Sequence, residues 1–261
     1  AGAAYVFENG GRVNWLQSHK LTGLDTTAGD DFGVAVALHQ GTAVVGADLA
    51  DDQGASSGAA YVFRFDGADW PQEDKLLAPG GATMDFFGRA VDVRGQRAII
   101  GAPGEGSGAG HVYLRSGTTW AHDGVLVAVD ASGTDMVGSS VAIQNTVALL
   151  GSPLDDVLSQ NTGALHAFTR EPGGWVERST LFASDAEPGD NFGCAVDLDG
   201  PVGVAGARFH SEVAPNAGSA YVLRGLVDLA VWVRSGQALP GALGSPCLYG
   251  EGSLDGNTLY T

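Results

Sequence analysis

Hydrophobic residues in this chain fall into short runs separated by glycine-rich breaks. The clearest run is FGVAVAL at 32–38, where Phe32, Val34, Val36 and Leu38 alternate with Gly33, Ala35 and Ala37. A period of two predicts a β-strand. Both faces are apolar, one built of large side chains and one of small, and a sheet needs that when it is stacked between two neighbouring sheets. Three further runs follow: TAVVGA at 42–47, AAYVFRF at 59–65, and a segment that starts near Trp70 and ends at 75–78 in KLLA. Turn residues link them, HQG after the first run and Asp66-Gly67 after the third, both suited to hairpins. No stretch sustains the 3.6-residue period of an amphipathic helix, which predicts almost no helix.

This group of four runs, a to d, recurs. The glycine of a Phe-Gly pair stands at Gly33, Gly88, Gly138 and Gly193. A Gly-Ala or Gly-Ser pair begins 13 residues later each time, at Gly46, Gly101, Gly151 and Gly206. A tryptophan stands 18 residues earlier each time: Trp15, Trp70, Trp120 and Trp175. Run c is marked by GAAYVF and its variants, beginning at Gly2, Gly58, Gly108, Gly163 and Gly218. In the third unit Val137 replaces the phenylalanine filled elsewhere by Phe32, Phe87 and Phe192.

Four short antiparallel strands per unit of 50–55 residues is the pattern of a β-propeller blade. The fold class is therefore all-β, a propeller of four-stranded antiparallel blades over residues 1–225, with about four blades visible. Runs a, b and d occur four times and run c five times, and Leu229–Val233 adds a further candidate strand. That surplus over a closed ring of four, and the start in mid-blade, suggest a part of a larger ring. Residues 226–261 read as a turn-rich C-terminal tail or the start of another small module. Length varies only between runs b and c, in loops 48–57, 103–107, 153–162 and 208–217. A fixed scaffold with one variable loop per unit points to those loops as the place of function.

Thirteen Lys and Arg against 30 Asp and Glu give a net charge of −17. Such a surface repels nucleic acid and anionic membranes, and leaves cations or basic partners as its electrostatic company. No apolar run has the length of a membrane-spanning helix. Cys194 and Cys247 are too few for a disulfide framework.

Candidate chemistry is sparse. Asp48, Asp51, Asp52, Asp155 and Asp156 lie in the variable loops. Clustered carboxylates in a glycine-rich loop suit calcium, although their spacing fits no known calcium loop. Calcium is the one cofactor left open. Asp30, Asp85, Asp135 and Asp190 each stand three residues before the Phe-Gly glycine. One catalytic role shared by four units makes no sense, whereas an aspartate accepting backbone N–H bonds in a tight turn does. The equally spaced tryptophans are expected to pack between blades. His111 and His166 take the slot that Tyr5, Tyr61 and Tyr221 fill elsewhere, so they read as structural replacements; His19, His39, His122 and His210 show no ligand spacing. No nucleophile-elbow, zinc-protease, P-loop or dinucleotide fingerprint is present, and no enzyme is expected.

The recurring GDDFG, MDFFG and GDNFG, followed by VVGAD, IIGAP and LLGSP and then by GAAYVF, resemble FG-GAP repeats, the repeats of integrin α-subunit propellers and of many bacterial secreted or surface proteins. The resemblance covers about residues 1–225. It implies a β-propeller and an extracellular or cell-surface binding or adhesion role, with a protein or glycan as partner and no membrane insertion. A structural spacer in a larger surface protein, or a propeller accessory to a hydrolase or lyase domain outside this chain, are the alternatives. Integrin-type repeats often carry a DxDxDG calcium loop between their first two strands. Here only Asp197-Leu198-Asp199-Gly200 hints at one, and it is too short to supply enough oxygen ligands.

Overall fold

The computed structural model describes residues 1–11, 14–211 and 214–225. All its regular elements are strands: β1 (Ala4–Asn9), β2 (Trp15–Leu21), β3 (Val36–His39), β4 (Thr42–Ala47), β5 (Ala59–Arg64), β6 (Gln72–Leu76), β7 (Ala90–Arg94), β8 (Arg97–Ala102), β9 (Ala109–Ser116), β10 (Thr119–Leu126), β11 (Ser140–Gln144), β12 (Val147–Ser152), β13 (Ala164–Glu171), β14 (Gly174–Leu181), β15 (Phe192–Asp199), β16 (Val202–Ala207) and β17 (Ser219–Arg224). The tail, Cys247 and the candidate strand at Leu229–Val233 lie outside the described residues.

Each blade is an antiparallel meander. Three sheets have four strands, ordered β3-β4-β5-β6, β7-β8-β9-β10 and β11-β12-β13-β14. A fourth blade is β15-β16-β17, and β1-β2 forms a two-stranded sheet that shares a core cluster with β4 and β5 of the first blade. The result is a four-bladed antiparallel propeller whose innermost strands are β3, β7, β11 and β15. β3 packs on β7, β7 on β11, and β11 on β15; among the described residues β15 and β3 do not pack in this way.

Burial follows from that stacking. Val93, Ile143 and Leu198, at matching positions of β7, β11 and β15, are all but fully buried, whereas their counterpart Leu38 on β3 is 63% exposed. The apolar alternation of β3 is the same; what differs is that no strand covers its outer face among the described residues. Each seam between blades has its own core. Between the third and fourth blades Leu149, Leu165 and Leu181 meet Phe192 and Leu198.

The first half of run a departs from the expected strand. β3 begins at Val36 rather than Phe32, after left-handed backbone at Asp31 (φ 58°) and Gly33 (φ 101°); in the fourth blade β15 does begin at Phe192, with a register break between Phe192 and Ala195. The Phe-Gly pair acts instead as a staple. The Phe87 N–H donates to Ser57 O of the preceding blade at 3.1 Å, and the Gly88 N–H donates to Gly101 O of its own blade at 3.0 Å. Val137 and Gly138, and Phe192 and Gly193, occupy the same positions, with Val137 N–H on Ser107 O and Phe192 N–H on Thr162 O. Val137 is as deeply buried as the two phenylalanines, so the third unit keeps the staple with a smaller side chain.

Candidate functional site

The variable loops between the second and third strands of each blade lie beside the links that lead from one blade to the next. Gly189 N–H donates to Gln160 O, Met84 N–H to Ala55 O, and Leu49 N–H to Asp30 O. Loops and links therefore form one continuous face.

Asp30, Asp85, Asp135 and Asp190 are buried on this face and brace the links. Each accepts the backbone N–H of the residue three places earlier: Thr27 at 2.6 Å, Ala82 at 2.5 Å, Ser132 at 2.6 Å and Glu187 at 2.7 Å. Thr27 and Ser132 add hydroxyl donors at 2.7 Å to Asp30 and Asp135.

The five loop carboxylates are engaged separately. Asp51 accepts the Ser56 N–H at 2.8 Å and Asp156 accepts the Asn161 N–H at 2.6 Å, each closing its loop five residues on. Asp52 takes the Lys75 ammonium at 2.6 Å. Asp48 is buried, and burial pushes its carboxyl above the usual range against the pull of Arg89 at 3.1 Å. Asp155 is fully buried; Oδ1 accepts the Val157 N–H at 2.9 Å, while Oδ2 has no partner. Burial raises its pKa too. No three of these five carboxylates converge as a metal-ligand set.

A different convergence lies at the seams. The third strand of each blade presents a tyrosine or histidine toward the link from the blade before. Tyr61 donates to Asp25 at 2.9 Å, and Tyr221 donates to Asp185 at 2.8 Å. Lys75 reaches Asp25 at 2.7 Å and lies 5.1 Å from the centre of the Tyr61 ring. Burial pushes the Tyr61 hydroxyl up to about 12. The hydrogen bond from Lys75 leads the causes that hold Asp25 below its usual range. Histidine fills the slot in the middle blades. His111 Nε2 stands 2.6 Å from Glu105 and its Nδ1 3.2 Å from His122.

In the third blade, His166 on β13 is fully buried. Its Nδ1 lies 3.0 Å from Glu177 Oε1 on β14 and 3.8 Å from Asp130 Oδ1 in the link from the second blade. The three ligand atoms lie within 4.8 Å of one another, so this Asp/His/Glu cluster, with His166 buried and Asp130 exposed, could coordinate a metal ion. Thr180 Oγ1 stands 3.4–3.5 Å from all three side chains. The Val129 N–H binds Glu177 Oε2 at 2.8 Å, which leaves Oε1 directed at His166. Reading histidines for ligand spacing misses this group, because its members come from three separate elements. One signal was present: Asp25, Asp130 and Asp185 all stand five residues before the link-bracing aspartate, where the second unit has Gly80.

The tryptophans divide by position. Trp120 is buried and its indole N–H donates to Glu73 of the first blade at 3.1 Å, beside the Arg115–Glu73 fork. Trp175 approaches Gly124 of the second blade. Trp70 lines a 390 Å³ cleft with His19 and Leu21 of β2. Trp15, by contrast, is 67% exposed, with no blade before it among the described residues. A second shallow cleft of 340 Å³ lies on the loop face of the fourth blade, lined by Glu187, Asp190, Phe209, Ser211 and Asn216 among others.

No catalytic constellation accompanies these groups among the described residues, and no helix is long and apolar enough to cross a membrane. No curated protein matches the sequence. Among solved structures, the chain is similar to Sqt1 of Chaetomium thermophilum, with 14% identity, a TM-score of 0.48, and coverage of 80% of this chain and 47% of that one. The chain thus spans about half the length of that protein. The signature of the FG-GAP repeat matches at 15–63, 70–114, 120–168 and 175–223. Each match runs from the tryptophan of one blade through the Phe-Gly staple to the third strand of the next, so a sequence repeat is a unit that spans a seam. This chain belongs to the FG-GAP repeat family.

Proposed function

We propose that this propeller is a non-catalytic binding module, acting outside the cell or on a bacterial cell surface, whose loop face recognises a protein or glycan partner. One observation carries the reading: the stapled scaffold is constant while the loops at 48–57, 103–107, 153–162 and 208–217 vary in length and sequence. Variation confined to loops on a rigid frame is the usual layout of a recognition surface. Charge narrows the partner. Arg208 is the only Lys or Arg in the sequence of those four loops, whose acidic residues include the exposed Asp51, Asp52 and Asp156. An acidic face of this kind steers cationic surfaces toward it and weakens as salt rises. The partner's contact surface is therefore basic.

The test is binding of the purified chain to arrays of cell-surface proteins and glycans at low and high salt, with loop 48–57 replaced by the five residues of loop 103–107. The expected result is salt-sensitive binding that the replacement weakens while the melting temperature holds. Absence of any array binding, or binding indifferent to replacement of each loop in turn, rejects the reading.

A further inference from the structure

We propose that Asp130, His166 and Glu177 form a binding site for a zinc-class divalent transition metal at the seam between the second and third blades. None of the three ligands is one of the loop carboxylates, although Asp155 of loop 153–162 lies behind His166.

Geometry supports the assignment first. Ligands about 2.0–2.1 Å from a tetrahedral zinc lie about 3.3 Å from each other. The separations of 3.0 Å and 3.8 Å from His166 Nδ1 to Glu177 and Asp130 bracket that value. Two carboxylates and an imidazole are three protein ligands, which leaves a fourth position for water, and Asp130 is exposed enough to admit it. The donor set excludes calcium as the natural occupant. Calcium takes six to eight oxygens, and the centre of this site is a nitrogen.

Two unpaired buried atoms supply the second argument. His166 Nε2 and Asp155 Oδ2 both lack a hydrogen-bond partner, both residues are fully buried, and the two side chains interact electrostatically. In the second blade the corresponding pair is joined, His111 Nε2 to Glu105 at 2.6 Å. Glu105 and Asp155 hold the same place, four residues after Gly101 and Gly151. Asp155 is one methylene shorter, and both atoms are left open. A histidine that ligates metal through one nitrogen usually gives its other N–H to a carboxylate. Asp155 Oδ2 is the open buried acceptor available for that role: a proton kept on Nε2 leaves the Nδ1 lone pair free toward Asp130 and Glu177. Glu177 is oriented already by its bond from the Val129 N–H.

The experiment uses the whole chain, stripped with chelator and then titrated with zinc, cobalt(II) or calcium, reading melting temperature and the visible d–d absorption of cobalt. One equivalent of cobalt is expected to give tetrahedral d–d bands, and zinc to raise the melting temperature. H166Y installs the residue that the first and fourth blades carry in this slot, so it is suited to the fold; it should abolish both responses. E177Q, which keeps an acceptor for Val129, should do the same and serves if H166Y does not fold. Asp155→Asn should weaken zinc binding by about 10- to 100-fold. No stoichiometric cobalt spectrum, or a response to zinc that survives in H166Y and E177Q, overturns the site. A calcium response lost in the same variants overturns its assignment to the zinc class.

Discussion

Gly46 in the first blade lies against the carbonyl oxygen of Gly88 in the second, so closely that a Cβ on Gly46 would stand 1.9 Å from it. The same encounter recurs between Gly101 and Gly138 and between Gly151 and Gly193, at 2.0 Å each. The two glycines that mark each sequence unit thus meet at every seam. The glycine of the second strand in one blade touches the Phe-Gly glycine of the next, and backbone packs on backbone where any side chain would wedge the blades apart.

Gly101→Ala should therefore destabilise the protein by roughly 1–3 kcal/mol or more, the usual cost of overpacking where neither side can yield. Gly173→Ala is the control, because a Cβ there meets nothing within 4 Å and its φ is not in the left-handed range. It should change stability by less than about 0.5 kcal/mol. Urea unfolding of both variants decides. Equal losses would mean that the seam tolerates a methyl group.

Asp135 accepts both the N–H and the hydroxyl of Ser132 while 2% exposed. Asp135→Ala leaves those donors unmet and should cost about 1–3 kcal/mol. Asp135→Asn keeps an acceptor oxygen and should cost less. If the order is reversed in thermal melts, the aspartate's charge rather than its turn bond is what matters.

His210 gives a dependence on pH with a defined sign. Its Nδ1 lies 2.9 Å from Asp190 and its Nε2 3.4 Å from Asp185. The hydrogen bond to Asp190, opposed by burial, raises its pKa above the usual histidine value. A raised folded-state pKa means that the folded protein holds the proton more tightly than the unfolded chain. The resulting stabilisation is complete below about pH 6.5, the ordinary histidine value, and is lost as pH rises through the raised value. His210→Gln should therefore cost most at the acid end of a series of melts from about pH 5.5 to 8.5, with the difference from wild type narrowing upward. A difference that widens with pH would contradict the ion pair.

Much of this architecture is local, and local patterns are legible in a sequence. Alternation of large and small apolar residues, as in 32–38, marks strands stacked on both faces, and the constant 13- and 18-residue offsets count the blades. The limit came within a few residues. The strand expected from Phe32 begins at Val36, after left-handed backbone at Asp31 and Gly33 that sets the Gly33 N–H on Gly46 O. Periodicity cannot show that partner.

The seams were beyond reach for the same reason on a larger scale. His166 reads as a substitute for tyrosine, and at its position in the strand it is one. That Glu177 and Asp130 close on it depends on the pairing of β13 with β14 and on the rotation of the second blade against the third. Strand period and turn chemistry act between neighbours in the chain, so the sequence by itself determined the blades, their order and the loops that vary. Contacts across a seam depend on the packing of backbone on backbone at pairs such as Gly101 and Gly138. Only the tertiary structure, by setting that angle and distance, decided which scattered side chains became a site.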